Sequence, residues 1–539
     1  MSILSIFDIG KTALLTNQTA ISVTSHNIAN VNNPDYSRQE VILGVKTPVK
    51  IKGGYLGRGT SIDAIRRSYD KFLTDMLFNQ ESVLGRSSVL KDIISEVEEF
   101  FNESNREGLN SVINNFFNSL EDLSVNPSDI SKRIVVINKT LELISQFKEM
   151  ENRLVEMGNS ITNEMSIITD KINSISRDIA ELNKKINQLE ADGVSRANDL
   201  RDKRDALLKE LSKYINISYY ESKDKTFYVS VGMRNIVSGG NFSEVKFLNT
   251  SQGSVFKVEN GDITDKITGG RISGLLTAQN LINNEFLYKL RKLFGSFTNQ
   301  FNLIHQNGYD LNDNTGVDFF KPLTNIHFEE FSKNGVITSL NISDYSALKF
   351  DEYYINIKTG NVYEVVNRYT NQIVTSGNYV SGGTISFDGI DVVISGSVTD
   401  GDSFLISPLK SSIKDAALNI KAPEEIAAAS TANSPWDNTN LFNLINLKET
   451  SLGALENKNI YEFFHVLTSR VGVLAASAND SLKFDETLYN EISNRKSVVQ
   501  GVNLDEEAVN LIRYQRAFEA AAKVIQVANE LYDTLVKLV

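Results

Sequence analysis

The residues able to do chemistry are few and far apart. The 539-residue chain has four histidines, at positions 26, 305, 327 and 465, and no cysteine. Without thiols there is no disulfide framework and no thiolate nucleophile, and no redox compartment can be read from the chain. The stretch His327-Phe328-Glu329-Glu330-Phe331 has Phe331 where a zinc-protease helix needs its second histidine. Gly269-Gly270-Arg271 lacks the Lys-Ser/Thr of a phosphate loop and reads as a turn. Asp505-Glu506-Glu507 suits the positive end of a helix better than a metal site. His305, followed by Gln306-Asn307-Gly308, reads as a helix-end residue with a satisfied hydrogen bond, and His26 as a surface or interface residue. No catalytic, cofactor or metal constellation emerges, so neither an enzyme nor a cofactor is expected.

Composition narrows the class further. A net charge of −12 argues against nucleic acid as a partner, because phosphate contacts need a basic face. No apolar run approaches the length of a membrane span, so no membrane insertion is expected. The first residues, with Asp8 among them, do not read as a secretory signal. The apolar fraction of 41% and charged fraction of 23% are those of a globular chain large enough for several domains.

The elements organising the chain are its ends. From Leu504, spacings of four and three reach Ala508, Leu511, Gln515, Phe518, Ala522, Ile525, Asn529, Tyr532, Val536 and Val539, a sustained heptad seam. A second seam runs one residue behind, through Ala517, Ala521, Val524, Ala528, Leu531, Leu535 and Leu538. Two seams on one helix need two partners. One is at the other terminus, where Ile3, Phe7, Gly10, Leu14, Asn17, Ile21, Thr24, Ile28 and Val31 follow the same spacing. The two terminal helices are expected to pair as a coiled coil, with the rest of the chain looped outward.

Between them, Asn30 to Tyr36 makes a turn around Pro34 that must end the first helix. Ser37 to Lys46 reads as extended, Lys52 to Gly59 as a glycine-rich loop, and Ser61 to Met76 as helix. Leu84 to Ile215 is mainly helical, broken at Asn126-Pro127-Ser128-Asp129, where Ser128 or Asp129 can cap the next helix. That helix carries the seam Ile161, Met165, Ile168, Ile172, Ile175, Ile179, Leu182, Ile186 and Leu189 and stops at Asp192-Gly193. Asn198 or Asp199 can cap its successor. Residues 215–270 form a small β unit, Leu275 to His305 a helix, and 311–410 an inserted β-rich domain with a hairpin at Thr384 to Ile394. Helix resumes from Lys414, a connection covers Ala427 to Asn440, and helices at Ile460 to Tyr489 and at the C-terminus close the chain. The fold class is α+β and multidomain: a terminal coiled coil (1–45 with 497–539), a mainly helical domain (46–310 with 411–496), and the β insert (311–410).

The segment Asn27-Ile28-Ala29-Asn30-Val31-Asn32-Asn33-Pro34-Asp35-Tyr36-Ser37-Arg38-Gln39 resembles the N-terminal motif of the flagellar axial family, the rod, hook and hook-associated proteins. Asn33 and Asp35 replace its usual Thr and Gly. Gly501 to Ala508, Tyr514-Gln515 and Asn529 to Leu535 resemble its C-terminal motif. Interior stretches resemble the hook-associated protein 1 branch: Asn126 to Asp129, Asn198 to Leu200 with Arg204-Asp205, Phe301 to Phe320, Phe387 to Ile390, Gly401 to Phe404 and Asp437 to Asn440.

The resemblance implies a structural role at the first junction layer between hook and filament. It implies terminal helices that order on assembly, type III export, and a location on the flagellum, extracellular or periplasmic. Implied partners are further copies of the chain, the hook protein, the second junction protein (hook-associated protein 3) and an export chaperone. Residues expected at the assembly interface are Leu14, Ile21, Asn27, Ile28, Asn30, Pro34, Tyr36, Leu504, Leu511, Gln515, Phe518, Ile525, Asn529, Leu531, Tyr532 and Leu535. Phe518, Ile525, Leu531 and Leu535 are expected to serve the chaperone. Alternatives are another axial protein, such as the second junction protein or hook protein, or an axial scaffold carrying an adhesive β domain.

Overall fold

A computed structural model describes residues 3–101, 108–192, 196–250 and 253–538. Gly193 and Val539, and the side chains of Ile3 and Leu538, lie outside the described residues. The helices are α1 (Ile3–Ala29), α2 (Lys71–Phe101), α3 (Leu109–Val125), α4 (Ile130–Leu189), α5 (Asn198–Tyr214), α6 (Gly270–Leu281), α7 (Tyr288–His305), α8 (Thr439–Asn446), α9 (Ile460–Gln500) and α10 (Leu504–Leu538). A single stretch of π-helix, Ile282–Leu287, joins α6 to α7 among the described residues. The chain forms two compact units, one of Met1–Lys91, Thr162–Leu276 and Asn479–Val539, the other of Asp92–Ile161 and Thr277–Ala478.

In the first unit, α1 ends where Pro34 requires, and strand β1 (Gln39–Val45) follows. A small hairpin, β2 (Val49–Ile51) and β3 (Gly54–Leu56), turns at Gly53 and Gly54, both at positive φ. Strand β4 (Thr60–Arg67) pairs antiparallel with β1, Gln39 opposite Arg67. This corrects the helix expected from Ser61: Ile62, Ile65 and Tyr69 satisfy a helical spacing, but Thr60 to Arg67 instead pairs along the whole of β1, and helix begins at Lys71. The β unit is two sheets. One is a meander of β5 (Ser218–Glu221), β6 (Phe227–Val231), β7 (Arg234–Ser238) and β8 (Asn241–Phe242). The other runs β11-β10-β9, from β9 (Val245–Thr250), β10 (Gly253–Val258) and β11 (Gly261–Asp262). The α5 cap is also corrected. Ala197 is the N-cap and makes no side-chain bond, because Asn198 turns inward to donate to Ile65 O and Gln39 Oε1 at 3.1 Å each.

Helix α4 starts as its sequence dictates, with Asp129 Oδ1 accepting from the Ser131 amide at 2.8 Å. Its seam residues Ile161 to Ile179 are buried, whereas Leu189 at the last turn is exposed.

In the second unit, α3 and α7 share an aromatic core. Phe116 meets Phe297 and Phe301 with ring centroids 5.9 and 5.6 Å apart, and Phe320 lies 5.4 Å from Phe301. The inserted β region has a five-stranded sheet ordered β12-β19-β14-β15-β16 and a three-stranded sheet ordered β13-β18-β17. Its strands are β12 (His327–Phe331), β13 (Val336–Ile342), β14 (Tyr353–Lys358), β15 (Val362–Asn367), β16 (Ile373–Asn378), β17 (Thr384–Phe387), β18 (Ile390–Ser395) and β19 (Ser403–Ser407). Both sheets contribute to one apolar core, including Tyr353, Val365, Ile385, Val392 and Phe404. The β17–β18 pair turns at Asp388-Gly389 as the sequence suggests. The helix expected from Lys414 does not form. Residues 410–438 run irregularly with one 3₁₀ turn, Pro423–Glu425, because Phe320 bridges Leu418 and Tyr309 bridges Ala429.

Candidate assembly interface

Helices α1 and α10 pack antiparallel. A Cβ added to Gly10 would lie 2.7 Å from Ile525 Cγ1, and Asn27 reaches Glu507, so residue numbers rise on one helix as they fall on the other. The α10 face turned inward is the alanine seam: Ala521 and Ala528 are buried and Ala517 is half-buried. Small residues let the two backbones approach, and Gly10 marks the tightest point.

At the end of α1 the terminal motif forms a buried polar knot. Asn27 Oδ1 accepts from the Tyr36 hydroxyl at 2.7 Å and the Gln39 amide at 3.0 Å. Its Nδ2 donates to Gln39 O at 2.9 Å and Glu507 Oε2 at 3.0 Å. One amide side chain thus ties α1, the Pro34 turn, β1 and the first turn of α10. Around it, the Arg38 amide donates to Gln500 O at 2.8 Å, and the Arg38 guanidinium pairs with Glu506 at 2.7 Å. The Ser37 amide donates to Asp202 Oδ2 at 3.1 Å, and Gln39 Nε2 to Asp199 Oδ1 at 2.7 Å. Arg67, on β4, holds Asp202 at 2.6 Å and Asp205 at 2.8 Å. Burial pushes the Asp202 carboxyl up against the pull of Arg67. Burial, with Asp199 and Asp202 nearby, pushes the Tyr36 phenol far up, so it remains a proton donor to Asn27.

The expected interface residues divide into three groups. Asn27 and Tyr36 are buried in the knot. Leu14, Ile21, Ile28, Asn30, Leu511, Phe518 and Ile525 are half-buried. Pro34, Leu504, Gln515, Asn529, Leu531, Tyr532 and Leu535 are exposed, the last three by 46, 52 and 51%. Sequence reasoning missed Gln39, Arg67, Asp202, Gln500 and the inward role of Glu507. The spacing held no signal for Glu507: Asn27 lies beside the α1 seam, next to its member Ile28.

Of the histidines, His305 is fully buried. Its Nδ1 lies 2.8 Å from Val317 O, and its Nε2 accepts the Ala427 amide at 2.9 Å. Burial lowers its pKa to about 4. His26 is half-exposed, 3.5 Å from Asp199 and edge-on to Tyr36. His327 sits on strand β12 beside Glu329 and Lys410. Among the described residues no His/Asp/Glu cluster could hold a metal ion, and no helix is long and apolar enough to cross a membrane.

The chain folds its two ends against each other, α1 on α10. Residues 499–538 match the family model for the flagellar basal body rod FlgEFG protein C-terminal region. Residues 94–320 match the flagellar hook-associated protein FlgK helical domain, and 329–408 the D2-like domain of flagellar hook-associated protein 1. Flagellar hook-associated protein 1 of Escherichia coli (strain K12) is 26% identical over 536 residues, covering 97% of both chains. That of Bacillus subtilis (strain 168) is 26% identical over 548 residues, covering 97% of this chain and 96% of the relative. The solved flagellar hook junction protein FlgK from Burkholderia pseudomallei shares the fold, with a TM-score of 0.69 at 16% identity over 78% of this chain and 99% of that one. The chain belongs to the flagellar hook-associated protein 1 family.

Proposed function

We propose that the protein is a structural component of the bacterial flagellum that forms the first junction layer between hook and filament. The observation that carries this reading is the outer face of α10. Ala521 and Ala528 are used against α1, while Val509, Ile512 and Val527 face outward, and Leu531 and Leu535, further along the alanine seam, are also left about half exposed. Such a stripe is costly in water and gains roughly 25 cal/mol per Å2 once covered. Copies related head to tail cover it in a ring or helical stack.

The role is structural, not enzymatic, and the sequence relatives support it over the reading as hook protein or second junction protein. The natural neighbours are the hook protein on one side and the second junction protein (hook-associated protein 3) on the other. An export chaperone would meet Leu531 and Leu535 directly, whereas Phe518 and Ile525 open only when α1 is off α10. The protein works after type III export, at the hook–filament junction. We assign residues 1–45 with 497–539 to the axial core, 46–310 with 411–496 to the helical domain, and 311–410 to the outer β domain.

Deletion of 502–539 tests the reading. Cells should then make hooks without attached filaments and lose flagellin to the medium, while the middle of the chain stays folded by circular dichroism. Attached filaments in that strain would refute it. An adhesive role for residues 311–410 would show instead as lost surface binding with filaments intact when only that domain is removed.

A further inference from the structure

Between β1 and β4 the chain puts out a hairpin with no sheet behind it. Strands β2 and β3 pair only with each other among the described residues. Residues 49–55 are exposed throughout, Val49 and Ile51 by 47% each and Tyr55 by 72%. A lone two-stranded hairpin is marginal in water and needs a third strand or a packed face for support. The root, by contrast, is fixed to α1. Arg58 pairs with Asp8 at 3.1 Å, and the Thr60 hydroxyl donates to Thr16 Oγ1 at 3.2 Å. Gly59, at φ +92°, lies so close to α1 that an added Cβ would come 2.2 Å from Thr12 Oγ1. The arm is therefore presented at a set place on the terminal helix.

Its two faces differ in chemistry. Val49 stands opposite Leu56, and Lys50 opposite Tyr55. Side chains alternate along a strand, so Val49, Ile51 and Leu56 share one face while Lys50 and Tyr55 share the other. From Lys46 to Gly59 there are four cations, Lys46, Lys50, Lys52 and Arg58, and no carboxylate, on a chain of net charge −12. The surface that fits this arm is apolar and set with carboxylates. A second copy offers one: on α10, exposed Glu530 and Asp533 accompany Leu531 and Leu535, themselves about half exposed. The arm is rooted on α1, the helix paired with α10, so it is continuous with the terminal surface that the junction reading assigns to stacking copies. Positive charge on the arm and negative charge on the body favour copies meeting head to tail. We propose that the 46–59 hairpin of one copy straps onto a second copy, its apolar face on apolar side chains and its lysines on carboxylates. The inference rests on that junction reading, since it needs neighbouring copies.

A photo-reactive ring tests it without presupposing the seat. Full-length protein with Tyr55→p-benzoylphenylalanine, expressed in cells and irradiated in isolated flagella, should yield dimers and higher multiples made of this chain alone. The secreted, unassembled protein should yield none. Cross-links confined to another flagellar protein, or none at all, would overturn the proposal. K50E/K52E reverses two exposed charges, and filament attachment should fall several-fold, with K50R/K52R close to the parent. Equal attachment in K50E/K52E and the parent would overturn the proposal as well. Attached filaments without Tyr55 cross-links reject this contact alone. Attached filaments after deletion of 502–539 reject the junction reading instead.

Discussion

The Asn27 side-chain amide donates to the Glu507 carboxylate at 3.0 Å, joining positions 480 apart in sequence. The same side chain accepts from Tyr36 and Gln39, so all its capacity is spent on holding one end of the chain to the other. Asn27→Ala would leave a buried carboxylate, a phenol and a backbone amide without partners. The expected cost is on the order of 2–4 kcal/mol, felt locally. Hydrogen exchange across Leu504 to Phe518 should accelerate, while exchange in the β domain stays unchanged. Equal protection in variant and parent would remove the knot from the account of terminal pairing.

Gly10 is the second fixed point. Any side chain there must displace Ile525, whose Cγ1 would lie 2.7 Å from the added Cβ. Gly10→Leu should push the helices apart at a cost of about 1–3 kcal/mol. Limited proteolysis should then cut α10 beyond Ala521 faster than in the parent, and filament attachment should fall.

His305 predicts a pH dependence with a definite sign. Burial lowers its pKa from 6.5 to about 4, so the folded state holds the ring neutral while the unfolded state takes up a proton. Its contribution is fully present above pH 6.5 and is lost as pH falls from there toward 4, by up to about 3 kcal/mol. Protonation would also set a charged N–H against the Ala427 amide that Nε2 now accepts. Denaturant midpoints at pH 7 and pH 5 should diverge more for the parent than for His305→Gln. Equal divergence would show that the ring titrates normally.

Arg133 is a buried cation whose hydrogen bonds, among the described residues, go to backbone carbonyls. Its Nε donates to Pro127 O at 2.7 Å, and Nη1 to Pro423 O at 3.1 Å and Ile426 O at 2.8 Å. Burial lowers its pKa to about 10, so it remains charged near neutral pH. It clamps the irregular 423–426 segment to the start of α4. Arg133→Ala should cost about 3 kcal/mol by orphaning those carbonyls, and Arg133→Lys should recover only part, because one ammonium cannot span them all. Thermal unfolding of the three proteins orders them directly.

Periodicity made much of this legible. The seam from Ile161 to Ile179 is buried as its spacing requires, and Asp129 caps α4 as its place after Asn126-Pro127 suggests. At the termini the spacing revealed two seams on α10, and α1 draws on both: Gly10 meets Ile525 of the first, while Ala521 and Ala528 of the second are buried. Ser61 to Ile65 failed because an apolar spacing of three reads as helix, whereas a register shift opposite Ile42 and Leu43 lets a strand carry Ile62 and Ile65 on one face. The polar knot was out of reach of any local pattern: Gln39, Arg67, Asp202 and Gln500 meet only after four elements have packed.

The antiparallel register of α1 and α10 has a mechanical consequence. It is pinned at two separated places, by hydrogen bonds at Asn27 and by steric fit at Gly10. A pull along the helices therefore loads both pins at once, in shear, and neither helix can creep past the other by a turn without breaking both. Ends locked together in this way carry a twisting load without slipping.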